Sequence, residues 1–90
     1  MLVMIVEHFR DGDARPVHRR FRDRGRLAPE GLRYLASWVT EDFRHCYQVM
    51  EYDDPVLLRQ WMAEWEDLVE FEVVPVITSA VATATIAPRL

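Results

Sequence analysis

Ninety residues, half of them hydrophobic, are enough for one domain with a thin core, because a short chain buries a smaller share of its surface than a long one. One cysteine excludes an internal disulfide framework, three glycines argue against a Gly-rich phosphate loop, and a net charge of -4 disfavours long-range attraction to nucleic-acid phosphates. No apolar run reaches the roughly 18 residues of a membrane helix, so neither membrane nor nucleic acid is an expected partner, and the lone Cys46 fits a reducing, cytoplasmic setting.

Residues 2–9 (LVMIVEHF) are almost continuously apolar and β-branched, the pattern of a central strand covered on both faces. The segment lacks the basic flank and small-residue cleavage site of a signal peptide. Asp11-Gly12-Asp13 supplies turn and N-cap chemistry, and a helix follows over about 14–26, with Pro16 in its first turn, a narrow Ala14-Val17-Phe21 stripe, and Gly25 at its end. Pro29-Glu30-Gly31 is a loop. Leu32–Thr40 and Arg44–Tyr52 read as two strands joined tightly at Glu41-Asp42, a hairpin. Asp54 as cap and Pro55 as first helical residue open a second helix, whose Leu58, Trp61, Met62 and Trp65 recur at helical spacing. Residues 70–77 (EFEVVPVI) form the last strand. Pro75 cannot donate to a ladder and places that strand at an edge or on a bulge. The tail from about 79 to 90 is either a short helix or an arm over a partner.

Strand, helix, strand, strand, helix, strand is the ferredoxin-like α+β plan, here one domain over residues 1–90 with a four-stranded antiparallel sheet. Both helices cover one sheet face. The other face would be apolar and bare, which calls for a second copy of the chain, a homodimer. Charge is divided as well. Residues 10–26 hold seven arginines against three aspartates, and residues 41–72 hold ten acids against two arginines, so the two halves should attract.

The segments MLVMIVEHFR, RFRDRGRLAPEGLRYLASWV, CYQVMEYDDP and W-x-x-x-W-x-D-L-V-x-FEVVPVITS together resemble a bacterial family of about ninety residues and unknown function, over residues 1–79. That family is similar to the dimeric α+β-barrel superfamily, which includes antibiotic-biosynthesis monooxygenases, muconolactone-isomerase-like enzymes and small metal-binding proteins. The resemblance implies a fold and a dimer, and no established activity. Cofactor-free monooxygenases of that superfamily are associated with asparagine near the substrate. This chain has no asparagine, so their catalytic set does not carry over.

A two-residue turn at Glu41-Asp42 predicts the pairs Trp38–His45, Ala36–Tyr47, Tyr34–Val49 and Leu32–Glu51. Trp38, Tyr34, His45, Tyr47 and Glu51 then share one face. On this reading Glu7, His45, Tyr47 and Glu51 are candidate catalytic groups, because a carboxylate beside a phenol or imidazole can move protons. His8, Tyr34, Trp38 and Trp61 are candidate ligand contacts, and packing alone is the competing account of each aromatic. Glu7, on a central strand, needs either a cavity or an ion pair, for instance with Arg33. His45 and Cys46 are adjacent and face opposite sides, so they cannot chelate one metal together, and no metal ligands are assigned. Cys46 reads as an apolar filler. No cofactor motif occurs, and no cofactor is expected. The arginines of the first helix spread around it, which suits contact with the acidic second helix better than a nucleic-acid stripe. Three functions compete: a small-molecule-binding protein or cofactor-independent monooxygenase- or isomerase-like enzyme with its pocket between sheet and helices, a dimeric interaction module, and a metal-binding protein built on His8 or His45.

Overall fold

The computed structural model describes residues 1–90 as β1 (Leu2–Phe9), α1 (Arg15–Arg24), β2 (Arg33–Val39), β3 (His45–Glu51), α2 (Pro55–Ala63), β4 (Val69–Val76) and α3 (Ser79–Ile86), with single 3-10 turns at Arg10–Gly12 and Ala87–Arg89. The sheet order is β2-β3-β1-β4 and every pairing is antiparallel, which is the ferredoxin-like βαββαβ arrangement. The apolar run that opens the chain is the central strand. Its Val3, Ile5 and Phe9 enter the core under the helices, and Met4, Val6 and His8 alternate onto the other face.

Each helix starts where the local chemistry demands it. The Asp54 carboxylate accepts the Val56 backbone N–H at 2.9 Å, and Pro55 takes the first position, where no donor is missed. Leu58 and Trp61 are buried from α2, while Trp65 lies past the helix end and still points into the core. α1 buries only Val17, in keeping with its narrow stripe. Asp13 accepts from both the backbone and the guanidinium of Arg15, which holds its carboxyl down at about 2. Gly25 ends α1 at φ +73°, a conformation that costs glycine little.

The basic and acidic halves meet as their charges predict. The Arg20 guanidinium pairs with Asp67 at 2.7 Å and donates to the Glu64 carbonyl, and Arg10 reaches the Glu66 carbonyl and Glu70.

Two expectations about the β2–β3 hairpin are corrected. Its connection is longer than two residues: Thr40 N–H donates to the His45 carbonyl, Asp42 caps the turn through Thr40 and Arg44, and Phe43 adopts φ +59°. The ladder is therefore displaced by two residues, and Trp38 pairs with Tyr47 and Ala36 with Val49. A displacement of two preserves the face of every residue. A β-bulge at Leu35 does not. Tyr34 pairs with Met50 on the helix side, and Arg33 pairs with Glu51 on the bare side.

β4 is the other edge, hydrogen-bonded only to β1, and Pro75 sits in it opposite Val3. The tail is the short helix α3. All of its side chains are exposed except the half-buried Ala82. No helix is long and apolar enough to cross a membrane.

Candidate functional site

A cavity of about 220 Å³ lies between the sheet and the helices. Glu7 and Phe9 of β1, Cys46 of β3, and Ser37 and Val39 of β2 form its floor. Val17, His18 and Phe21 of α1 stand on one side, with Trp61 and Trp65 opposite, and Arg26 borders it from the loop after α1. The walls are mostly apolar, with a small set of convergent polar groups, the usual make-up of a small-molecule site.

Glu7 is the unusual group. It is 6% exposed on the central strand, and its side chain forms no ion pair. The expected bridge to Arg33 does not form, because the bulge turns Arg33 to the bare face, where it pairs with Glu51 at 2.9 Å. Gln48 donates from Nε2 to the Glu7 carboxylate at 2.9 Å, and the neighbouring Cys46 thiol also favours its ionised form. Burial outweighs these contacts and the field of Arg26, and it lifts the Glu7 carboxyl from 4.5 to about 7. The Cys46 thiol is pushed up to about 12, by burial first and then by the neighbouring carboxylate. Cys46 is a buried residue, as expected, and its thiol neighbours Glu7.

Arg26 organises the cavity's other end. Its backbone carbonyl accepts from both indoles, Trp61 Nε1 at 3.0 Å and Trp65 Nε1 at 2.9 Å. Its guanidinium donates to Gln48 Oε1 and lies 3.7 Å from the centre of the Tyr34 ring. That donation fixes the orientation of the Gln48 amide, so the NH₂ group faces Glu7. A chain of contacts thus runs from Tyr34 through Arg26 and Gln48 to Glu7.

The eight candidate residues divide between the two sheet faces. Glu7 and Trp61 meet at the cavity. Tyr34, displaced by the bulge, lies on the same side against Arg26. His8, Trp38, His45, Tyr47 and Glu51 occupy the bare face. There His8 and His45 share an Nδ1–Nδ1 hydrogen bond of 3.0 Å, and His8 Nε2 is 3.6 Å from Glu72. Trp38 and Tyr47 are cross-strand neighbours, 59% and 42% exposed. Glu51 is six residues along β3 from His45, about 20 Å at strand rise, so the two cannot act on one atom. The grouping of Glu7 with His45, Tyr47 and Glu51 is therefore corrected: the sheet itself separates them.

Arg26, His18 and Ser37 line the cavity, Gln48 joins Arg26 to Glu7 beside it, and none of the four was among the candidates. The signal for Gln48 was present in the strand period, since Cys46, Gln48 and Met50 alternate with His45, Tyr47 and Val49. No three or more His, Cys, Asp or Glu side chains come together as a metal cluster.

Neither the curated proteins nor the solved structures contain a match to this chain. A family described as a domain of unknown function, DUF3303, matches it over residues 1–90. A fold of ferredoxin-like topology, with a carboxyl-bearing aromatic cavity under its helices, is thus the architecture of a chain that belongs to the DUF3303 family.

Proposed function

We propose that this protein binds a small molecule in the helix-side cavity and uses Glu7 to take or give a proton there. The observation that carries the reading is the Glu7 carboxyl. It lies in the wall of a mostly apolar, tryptophan-lined cavity without forming an ion pair, and titrates at about 7. A group with that affinity for protons holds both forms in quantity near neutrality, as a general acid–base requires. Of the two cofactor-independent reactions that the family resemblance raises, isomerisation suits this arrangement better. It asks one group to give a proton at one position of the molecule and take one back from another, and Glu7 faces the cavity alone among the carboxylates.

The cavity is smaller than the about 300–1,000 Å³ of sites for drug-sized ligands, which limits the occupant to one or two rings. A thermal-shift panel of one- and two-ring aromatic acids, amides and ketones tests the reading. A saturable rise in melting temperature is expected for some members, because a ligand of the folded state stabilises it. The rise should be lost in Ser37→Phe, which fills the cavity. No response from any compound, or an equal response in the filled variant, overturns the proposal.

The protein is further proposed to work as a homodimer joined through the bare sheet face and α3. Trp38, Tyr47 and Val74 leave apolar surface open on that face, and Val81 and Ile86 do so on α3. Sedimentation velocity should give a dimer for the wild type and a protomer for Trp38→Asp. A wild type that sediments as a single protomer at high concentration refutes it.

A further inference from the structure

We infer that the cavity takes a planar aromatic monoanion, with its negative oxygen on the Arg26 guanidinium and its ring among the tryptophans, and that Glu7 holds its proton while the ligand is bound. The inference rests on the reading of the cavity as a small-molecule site, and it adds the charge and shape of the occupant.

The first ground is Arg26 itself. Five of the eleven arginines pair with carboxylates, and of the six that do not, Arg26 alone lines the cavity. Its one side-chain hydrogen bond goes to Gln48, which leaves most of its five N–H donors free for an oxyanion. Its position is fixed before any ligand arrives. The backbone is pinned by two indole donors on one carbonyl, and the guanidinium carbon lies over the Tyr34 ring, 3.7 Å from its centre. A pre-organised cation spares a ligand the cost of ordering it.

The second ground is charge balance in a low-dielectric space. The titratable or charged groups that face Glu7 are Arg26 from the loop, His18 from α1 and Cys46 from β3. α2 and β4 present the uncharged Trp61 and Phe71. Cys46 stays a thiol. With Glu7 ionised, Glu7 and Arg26 cancel, and an incoming anion adds an uncompensated charge to an apolar cavity. With Glu7 protonated, the guanidinium is uncompensated and one anion neutralises it. Binding a monoanion is thereby coupled to a proton on Glu7. The third ground is shape. Trp61, Trp65 and Phe9 give the cavity an aromatic lining beside which a ring finds favourable neighbours.

The test uses a matched pair of probes, cinnamate and its neutral amide cinnamamide, in calorimetric titrations of the full chain at about pH 6 and about pH 8. Cinnamate should bind at least about tenfold more tightly than the amide at the lower pH, and lose about tenfold at the higher pH as Glu7 ionises. Heats measured in two buffers of different ionisation enthalpy should reveal proton uptake. Arg26→Gln should abolish the preference for the anion. Glu7→Gln, which leaves the guanidinium untouched, should keep the preference and lose its pH dependence. Equal binding of the two probes, or tighter binding of the amide, overturns the anion inference and leaves the cavity reading standing. Binding of neither probe, together with a silent thermal-shift panel, removes the cavity reading and this inference with it.

Discussion

Glu7→Gln should make the protein more stable at alkaline pH and leave it little changed at acid pH. The Glu7 carboxyl titrates at about 7 in the folded chain, against 4.5 when solvated, so the native state holds this proton more tightly than the unfolded state does. Below pH 4.5 both states are protonated and the group contributes nothing. Between 4.5 and 7 the native state binds more protons, so stability falls as pH rises. Above 7 the full cost of a buried charge is present. At about 1.4 kcal/mol per pH unit of displacement, that cost is about 3 kcal/mol, a large part of the roughly 5–15 kcal/mol that holds a domain together. Gln at position 7 cannot ionise, and its carbonyl can still accept from Gln48. The assay is urea unfolding of both proteins at fixed protein concentration, from about pH 4.5 to about pH 8.5. Both proteins carry the same histidines and the same Asp13, Asp42 and Asp67, so their difference isolates Glu7. The wild type minus variant difference should fall by about 3 kcal/mol across that range. A difference that stays flat to within about 0.5 kcal/mol refutes the assignment of a raised pKa to Glu7, and with it the account of the cavity as a water-poor space.

The two indole donors on the Arg26 carbonyl should show coupling. Trp61→Phe or Trp65→Phe leaves one donor in place, and the double variant leaves a bare buried carbonyl, so its loss of stability should exceed the sum of the singles by about 1 kcal/mol in a double-mutant cycle. Cys46, with its thiol pushed up to about 12, should react with a disulfide reagent at about pH 8 only as fast as the chain unfolds, and rapid stoichiometric labelling of the native protein would contradict its placement. Deletion of Leu35 removes the bulge residue and joins Tyr34 to Ala36 with no change of face. The variant should fold with a cost under about 2 kcal/mol, read by denaturant unfolding, whereas substitution of Tyr34 by Asp should cost more because it removes the ring under Arg26.

Element identity was legible wherever a local rule acted alone. The apolar run of β1, the Asp54-Pro55 start of α2 and the Pro75 edge of β4 each have a single physical cause, and each appears where that cause puts it. The hairpin register was not legible, because Glu41-Asp42 looks like a tight turn. The real turn depends on Thr40 and Asp42 side chains satisfying the backbone and on Phe43 adopting a conformation unusual for an aromatic residue. Parity survived that error, and so Trp38, His45, Tyr47 and Glu51 do share a face. The bulge at Leu35 leaves no such protection. Nothing in Arg33-Tyr34-Leu35-Ala36 marks one residue as extra, and one extra residue was enough to carry Tyr34 to Arg26 and Arg33 away from Glu7.

The same residues explain why the cavity was only half visible. Its polar network joins a strand, a loop and a second strand through Arg26, whose importance lies in its carbonyl as much as in its charge, and no spacing rule reports a carbonyl. Glu7 could be singled out because it breaks a local rule, a carboxylate inside an apolar central strand. Such breaks concentrate at functional or strained positions. Here strain is a weak account. The backbone at Glu7 is an ordinary strand, paired on both sides, and glutamine would fill the place without the burial cost of a charge. A chain that carries an avoidable penalty of about 3 kcal/mol above pH 7, and sets the offending group in a cavity wall with no ion pair, is what the proposed role of the Glu7 proton accounts for.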